Sequence, residues 1–392
     1  MPNKSIKILY ILLGLVLFTT GCWDRVEIEE RGFVVGAGID VTADDQGRDK
    51  YVLTFQFVVP SGLQGKEKGG VNGGGGEEAY FNLSSPGNTI FKAIRDMSYR
   101  TSRSPYLQHL RMILISDKLA RQGGFAKALD LFLRDHEMRR AAKVMIVDGH
   151  THALLNVKPK NEKLPIMYFE SVANNPMKSS RIFPPTNIGE VQSYMISKQS
   201  FSLPRITRMD GEVTVAGAAV INGEHMQLQG YLNADETSGL NLIKGKAQDG
   251  VLEFRMGGDF VAYEIKSSRS TIRADVSDPK RIKFSIHIEM EGNVGEAQLS
   301  ENVIDSNQIA EIEQKTEDEL FRLTTATIHK LQHEYKTDAI GLGVFLNQEH
   351  HAVWEQVKEV WDREANYFSR CEINIETKAK VKMIGSAVET RS

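Results

Sequence analysis

The residue best placed for covalent chemistry is Cys22. It follows Thr19-Thr20-Gly21 and an apolar run of 11 residues, Ile8 to Phe18, with Lys4 and Lys7 in front. Eleven residues at 1.5 Å each make about 16 Å of helix, roughly half a bilayer core, so the run suits a secretory leader better than a permanent span. A leader ending in small residues directly before Cys has the form of a lipobox, with Thr19 where Leu is usual. The chemistry is alkylation of the thiol by a lipid, then cleavage that leaves Cys22 as the first residue. A thiol is the strongest nucleophile available for a thioether, and small residues before it let the backbone enter a peptidase cleft. Two or three acyl chains on Cys22 suffice for stable anchoring where one is marginal.

Other combinations fall short of a catalytic or cofactor site. Gly239 to Ala247 resembles a phosphate loop, but five residues separate Gly239 from Gly245, and Ala247 replaces the hydroxyl residue that would bind Mg²⁺. Gly36-Ala37-Gly38 is followed by Val41 where a dinucleotide fingerprint needs Gly, and no G-x-S-x-G occurs. His136-Glu137 and His333-Glu334 lack the second His of a zinc helix. His350 and His351 are adjacent, so on a helix they point about 100° apart. Glu317-Asp318-Glu319 reads as a solvated helix face. No enzyme, metal site or cofactor is expected.

Composition bounds the class. Of 392 residues, 41% are apolar and 25% charged, as in a folded globular protein. Cleavage before Cys22 leaves 371 residues and, with Lys4 and Lys7 gone, moves the formal charge from −3 to −5. That balance argues against nucleic acid, whose phosphates reward clustered Lys and Arg. It also leaves anchoring to lipid. There are two cysteines, so a lipidated Cys22 leaves Cys371 without a disulfide partner. In Cys371-Glu372-Ile373-Asn374-Ile375 the cysteine shares a face with two Ile and reads as a small buried apolar residue.

The elements that must carry these residues follow from periodicity. Phe33 to Asp40 is a buried strand interrupted by glycines, and Tyr51 to Val59 pairs with it as a hairpin. Gly62 to Glu78 is glycine-rich and reads as a flexible loop. A helix carries Ile90, Phe91, Ile94 and Met97 on one face. A strand (Leu110 to Ile115), a helix (Phe125 to Leu133) and a strand (Val144 to Val147) suggest a parallel pair. Six prolines between 159 and 204 mark a middle segment with short helices at 166–173 and 188–198. Beyond Gly211 come a hairpin about Asn222-Gly223, a short helix at 235–242 and strands at 251–254, 260–265 and 282–290. A long helix near 306–335, a helix carrying Val353, Trp354, Val357, Val360 and Trp361, and a last strand at 371–382 complete the chain.

The expected fold is α+β (mixed α/β) in three domains, with mixed sheets and helices packed on one face. The boundaries are a leader at 1–21, an N-terminal α/β domain at 22–160 with its loop at 62–78, a small helical connector at 161–210 and a C-terminal α+β domain at 211–386.

Several stretches together resemble the Ger(x)C family of spore germination lipoproteins. They are Cys22-Trp23-Asp24-Arg25 with Glu27-Ile28, Gly36-x-Gly38-Ile39-Asp40, Thr54-Phe55-Gln56 with Pro60, and Ala93-Ile94-Arg95. The order continues through Pro105-Tyr106-x-x-His109, Leu119-Ala120-Arg121, Arg134-Asp135-x-Glu137 and Gly217-Ala218-Ala219-Val220. It ends with Glu236-Thr237-x-Gly239-Leu240, Lys244-Gly245-Lys246, Trp354 with Trp361, and Gly385. The glycine-rich insert at 69–76 departs from the pattern. The resemblance implies a non-enzymatic, three-domain α/β subunit of a nutrient germinant receptor, required for germination. It implies A and B subunits as partners and a lipid-anchored place on the outer surface of the inner spore membrane. The alternative from another class is a lipid-anchored extracytoplasmic solute-binding protein.

Residue by residue, Trp23, Asp24 and Arg25 are expected to orient the protein on membrane or partner, the indole favouring the headgroup layer. Glu236, Lys244 and Lys246 are expected at a partner contact, on a charged turn. Gly36 and Gly38 are expected to let a neighbouring backbone approach. Pro105, Tyr106 and His109 are expected to fill a domain core. Trp354 and Trp361, two helical turns apart, are expected to pack inward.

Overall fold

A computed structural model of the chain describes residues 30–43, 46–63, 78–174, 179–209, 212–297, 306–363 and 365–383. The leader and most of the glycine-rich loop lie outside these residues.

The first strand sets the frame. β1 (Arg31–Ala43) is followed by β2 (Asp49–Val58), a short helix α1 (Pro60–Leu63) and β3 (Tyr80–Gly87). Then come α2 (Ile90–Met97), β4 (Ser104–Tyr106), β5 (Met112–Ser116), α3 (Asp117–Arg121), α4 (Phe125–Arg134), β6 (Lys143–Asp148), α5 (Thr151–Leu155) and α6 (Pro165–Ala173). The chain continues through β7 (Thr186–Asn187), α7 (Ile188–Ser197), β8 (Phe201–Met209), β9 (Glu212–Asn222) and β10 (Gln227–Leu232). These strands form one ten-stranded sheet in the order β10-β9-β8-β6-β5-β1-β2-β3, with β4 on β1 and β7 on β6. Its centre, β8-β6-β5-β1, is parallel, and antiparallel strands finish both edges.

The expected hairpin of β1 with β2 and the parallel pair β5 with β6 are present. Pro86 and Gly87 stand just ahead of α2. They end β3, and Thr89 caps α2 by accepting from the Lys92 N–H. Phe91 turns outward on that helix and is 53% exposed.

Both expected interdomain boundaries fall within the reach of this sheet. Phe201–Met209, read as part of a proline-rich connector, is the strand β8. Its Pro204 sits beside a register irregularity, the kind of place where a strand tolerates a residue without an N–H. The hairpin 212–232, expected in the C-terminal domain, continues the same sheet because β9 pairs with β8 along its length.

Helices cover this sheet on two sides. Ala37, Ile39, Phe55 and Ile113 pack with α2, α4 and α7, while Val35, Met112 and Leu114 pack with α5 and α6. The glycines of β1 are what admit the second group. A Cβ on Gly36 would lie 2.3 Å from Ile166 of α6, and one on Gly38 would lie 2.5 Å from the Thr151 hydroxyl of α5. At the end of β1 the buried Asp40 carboxylate accepts from Thr151 N–H (3.0 Å), Thr151 Oγ1 (2.6 Å) and His152 N–H (3.3 Å). It thereby satisfies first-turn donors of α5. One strand over, buried Gln56 donates to Leu155 O (3.3 Å) at the end of α5 and accepts from Ile166 N–H (3.2 Å) at the start of α6.

The second unit follows β10. It contains α8 (Ala234–Ile243), β11 (Gly250–Met256), β12 (Asp259–Asp275), β13 (Lys283–Ala297), α9 (Ser306–His329), α10 (Leu342–Glu349), α11 (His351–Val357) and β14 (Glu372–Met383). Its four strands form the sheet β11-β12-β13-β14, with β14 parallel to β13. Phe284, Ile286, Ile288 and Met290 face the helices on one side, as the alternation predicted. The free edge of β14 is blunted, because Glu317 and Glu313 of α9 accept from Ala379 N–H (3.0 Å) and Val381 N–H (2.9 Å).

Replacing Asp40 by Ala leaves buried N–H groups of α5 without acceptors. Asp40→Ala is expected to lower the unfolding free energy by about 1–3 kcal/mol, read as a shift in the urea midpoint at neutral pH.

Candidate functional site at the junction of the two sheets

The turn singled out by sequence begins with α8. Asn233 and Glu236 form a reciprocal capping box, Asn233 Oδ1 accepting from Glu236 N–H (2.9 Å) and Glu236 accepting from Asn233 N–H (2.7 Å). The same Glu236 carboxylate receives Lys330 Nζ at 3.0 Å on both oxygens. Burial works against the Lys330 charge, but Glu236 outweighs it and the pKa ends above the ordinary lysine value. Gly239 lies against α9, where a Cβ would come within 2.2 Å of Thr327 Oγ1 and 2.4 Å of Leu323 O. Thr327 Oγ1 donates to Glu236 O at 2.8 Å across this contact.

The other side of α8 holds the segment that leads into β7. Ser238 bonds Ser180 Oγ (2.7 Å), and Asn241 Nδ2 donates to Ser180 O (2.8 Å) and Ile182 O (2.9 Å). Beyond the helix, Lys244 Nζ donates to Ala339 O (3.1 Å) and Ile340 O (2.8 Å). Burial first, and then the neighbouring charge of Lys246, push Lys244 down to about 8. Lys246 lies over the Phe183 ring with its ammonium 5.6 Å from the centroid, and it is exposed. Of the three residues expected at a partner contact, Glu236 and Lys244 have their charged ends engaged inside the chain, and Lys246 alone is exposed.

The Ala339-Ile340 turn is built by Asp338. Its carboxylate accepts from the N–H groups of Gly341 (2.8 Å), Leu342 (3.1 Å) and Gly343 (2.7 Å), and from Trp361 Nε1 (2.8 Å). It stands at the N-terminus of α10, where backbone donors and the helix dipole favour an anion. Trp361 is buried and meets Trp354 edge-on at 5.8 Å, which places the tryptophan pair in packing as expected. Next to it, Asp362 reaches back to the first sheet, where its carboxylate accepts from the Ser200 hydroxyl. Burial, and then the nearby Asp338, raise the Asp362 pKa. Arg363 and Lys198 both pair with Glu224 at 3.0 Å, and Tyr335 donates to Tyr231 O at 2.7 Å. A cavity of about 290 Å³ lies here between the two units.

The remaining residues divide as follows. Cys22, Trp23, Asp24 and Arg25 lie outside the described residues. Cys371 is buried and its thiol is pushed up to about 12 by burial, so it does not act as a nucleophile at neutral pH. Pro105, Tyr106 and His109 do not fill a core: His109 is exposed, the other two are half-buried, and the buried residue of that turn is Leu107. Among the described residues no three His, Cys, Asp or Glu side chains are grouped to hold a metal. Among them also, no helix is long and apolar enough to cross a membrane. Sequence reasoning missed Asp40, Gln56, Asp338 and Asp362. Only Asp338 carried a signal, an acid just ahead of Gly341 and a helical run.

Two family models match in succession. One, described as the spore germination protein N-terminal domain, covers residues 24–208, and the other, spore germination B3/GerAC like, C-terminal, covers 216–385. The chain belongs to the Ger(x)C family of spore germination proteins. It is 28% identical over 400 residues to spore germination protein YndF of Bacillus subtilis (strain 168), covering 98% of each chain. It is also 28% identical to spore germination protein B3 of that organism, covering 96% of this chain and 97% of the relative. The crystal structure of the GerBC protein superposes with a TM-score of 0.60 at 24% identity, covering 90% of this chain and 99% of that one. Membership ties this Ger(x)C chain to spore germination, and the family is not a known enzyme family. The point where one family match gives way to the other lies between β8 and β9, so the C-terminal half supplies two strands to the sheet of the N-terminal half.

The depressed pKa of Lys244 gives a pH test. The unfolded chain holds that proton up to the ordinary lysine value of 10.5, whereas the folded chain releases it near 8. Stability therefore rises with pH across that window, and the charge burden is fully present below it. Relative to Lys244→Met, the unmodified chain is expected to gain up to about 3 kcal/mol between these limits, read by urea unfolding at a series of pH values.

Proposed function

We propose that this protein is a lipid-anchored, non-enzymatic subunit of a nutrient germinant receptor. It is held by acyl chains on Cys22 at the outer surface of the inner spore membrane and works with A and B subunits. The observation that carries the reading is the position of the family match, which begins at Asp24, two residues beyond the one cysteine placed at the end of an apolar leader. A chain whose family signature starts at that cysteine has its working surfaces immediately next to the membrane. Trp23, Asp24 and Arg25 then set the orientation of the folded part.

The arrangement of the two sheets supports a scaffold role. Most of the buried polar groups of the junction are bonded within the chain, and what they hold together is the relative position of two sheets. Lys246 remains as the exposed end of this family-like turn and is the partner contact within it.

Cys22→Ala in the full chain tests the anchor. The variant is expected to leave the inner-membrane fraction of spores and to slow nutrient germination, with response to non-nutrient triggers unchanged. Full membrane retention together with normal germination would overturn the reading. With Cys22 intact, Lys246→Glu is expected to reduce co-purification of the A and B subunits from solubilised spore membranes.

A further inference from the structure

The place where the folded part begins has an unusual surface. Arg31 opens β1, and its guanidinium lies over the Tyr106 ring, 4.1 Å from the centroid. Phe33 meets Tyr106 edge-on at 6.0 Å and His109 at 5.3 Å. These contacts follow from register, because β4 runs parallel to β1 with Arg31 opposite Ser104 and Phe33 opposite Tyr106. Behind them, a Cβ on Gly32 would lie 3.3 Å from Arg103 O and 3.0 Å from the ring of Phe57. Phe57 in turn stacks on Phe81, which is 43% exposed. The loop between α2 and β4 carries Tyr99, 86% exposed, and Arg100, whose guanidinium donates to Ser84 O at 2.7 Å.

Nearby ion pairs take up Lys92 with Asp96, and Arg111 and Lys143 with Glu170. Arg31, Arg100 and Arg103 enter no ion pair among the described residues, and the acids nearest to Arg31 in sequence are Glu27, Glu29 and Glu30. Phe33, Tyr99 and Tyr106 stand among these arginines.

We propose that this end of the first sheet, carrying Arg31, Phe33, Tyr99, Arg100, Arg103 and Tyr106, docks into the headgroup layer of an anionic lipid membrane. The inference rests on the anchor reading above. Three arguments support it. Glu30 lies eight residues beyond Cys22, so the chain between them allows at most about 29 Å between this surface and the lipid. Tyrosine rings favour the headgroup region, and each arginine near an anionic surface strengthens binding by about five-fold. The mature chain is also net negative, so an anionic bilayer repels it as a whole and is approached best where arginines and aromatic rings stand together. The lipid then supplies retention and this surface supplies orientation.

The test uses the full chain with its Cys22 lipid, reconstituted into phosphatidylcholine vesicles with or without phosphatidylglycerol. A nitroxide is placed at Tyr99→Cys or, as a control, at Thr271→Cys on the outer face of the second sheet; Cys371 is buried and does not compete. In phosphatidylglycerol vesicles the label at 99 is expected to be relaxed by dissolved oxygen and shielded from an aqueous nickel chelate, while the label at 271 behaves as in water. Arg31→Gln and Arg103→Gln are each expected to lower the ratio of lipid-facing to water-facing label about five-fold. A label at 99 as open to nickel as the one at 271 overturns the proposal. So does protection at 99 that occurs in spore membranes but not in vesicles, which assigns the surface to a protein. Failure of the anchor reading is a separate result: the chain then does not float with the vesicles at all.

Discussion

A single buried carboxylate at the end of β1 fixes how the first sheet is covered. Asp40 accepts the first N–H groups of α5, and without that acceptor a short helix would press unsatisfied donors against an apolar sheet. The five residues of α5 are too few to be stable alone, so their place depends on what holds both ends. Asp40 holds the beginning and Gln56 receives the end, passing the chain on to α6. Gly36 and Gly38 lower the surface of β1 so that both helices can lie close. The family-like runs Gly36-x-Gly38-Ile39-Asp40 and Thr54-Phe55-Gln56 are therefore two halves of one clamp.

The same logic recurs at the junction of the two sheets. One helix, α8, bonds through Glu236 to α9, through Ser238 and Asn241 to the segment before β7, and through the following Lys244 to the turn made by Asp338. Close approach at Gly239 and a buried lysine with a depressed pKa are the costs of this arrangement. They are offset by a network in which most of the buried polar atoms find partners, the condition under which such networks specify geometry. Because the hairpin β9-β10 belongs to the first sheet and leads directly into α8, the two halves of the chain are continuous at this point. A disturbance on either side of the junction has to pass through the same few residues. That construction fits the scaffold role proposed above.

The surface complements this interior. Ion pairs cross the strands of the second sheet at Lys283 with Glu372 and at Lys382 with Glu291, and at the start of β1 arginines stand with aromatic rings. An end of this kind fits the anchored role proposed above.

The local chemistry of this protein was legible in its sequence. The β1-β2 hairpin, the parallel β5-β6 pair, the long helix and the alternating strand at 282–290 follow from period, length and turn residues, which act over a few positions. What the sequence left open was long-range. Phe201–Met209 looked like a connector because Pro204 argues against a central strand, and only pairing with β9 and β6 makes it one. Glu236 and Lys244 looked like surface charges on a turn, and only the packing of α9 and the Asp338 turn gives each an internal partner. His109 and Tyr106 looked like core and lie at a surface. Asp40 and Gln56 were read as motif letters, without their role. In each case the deciding partner lies many tens of residues away, and a side chain's task is set by what tertiary structure places opposite it.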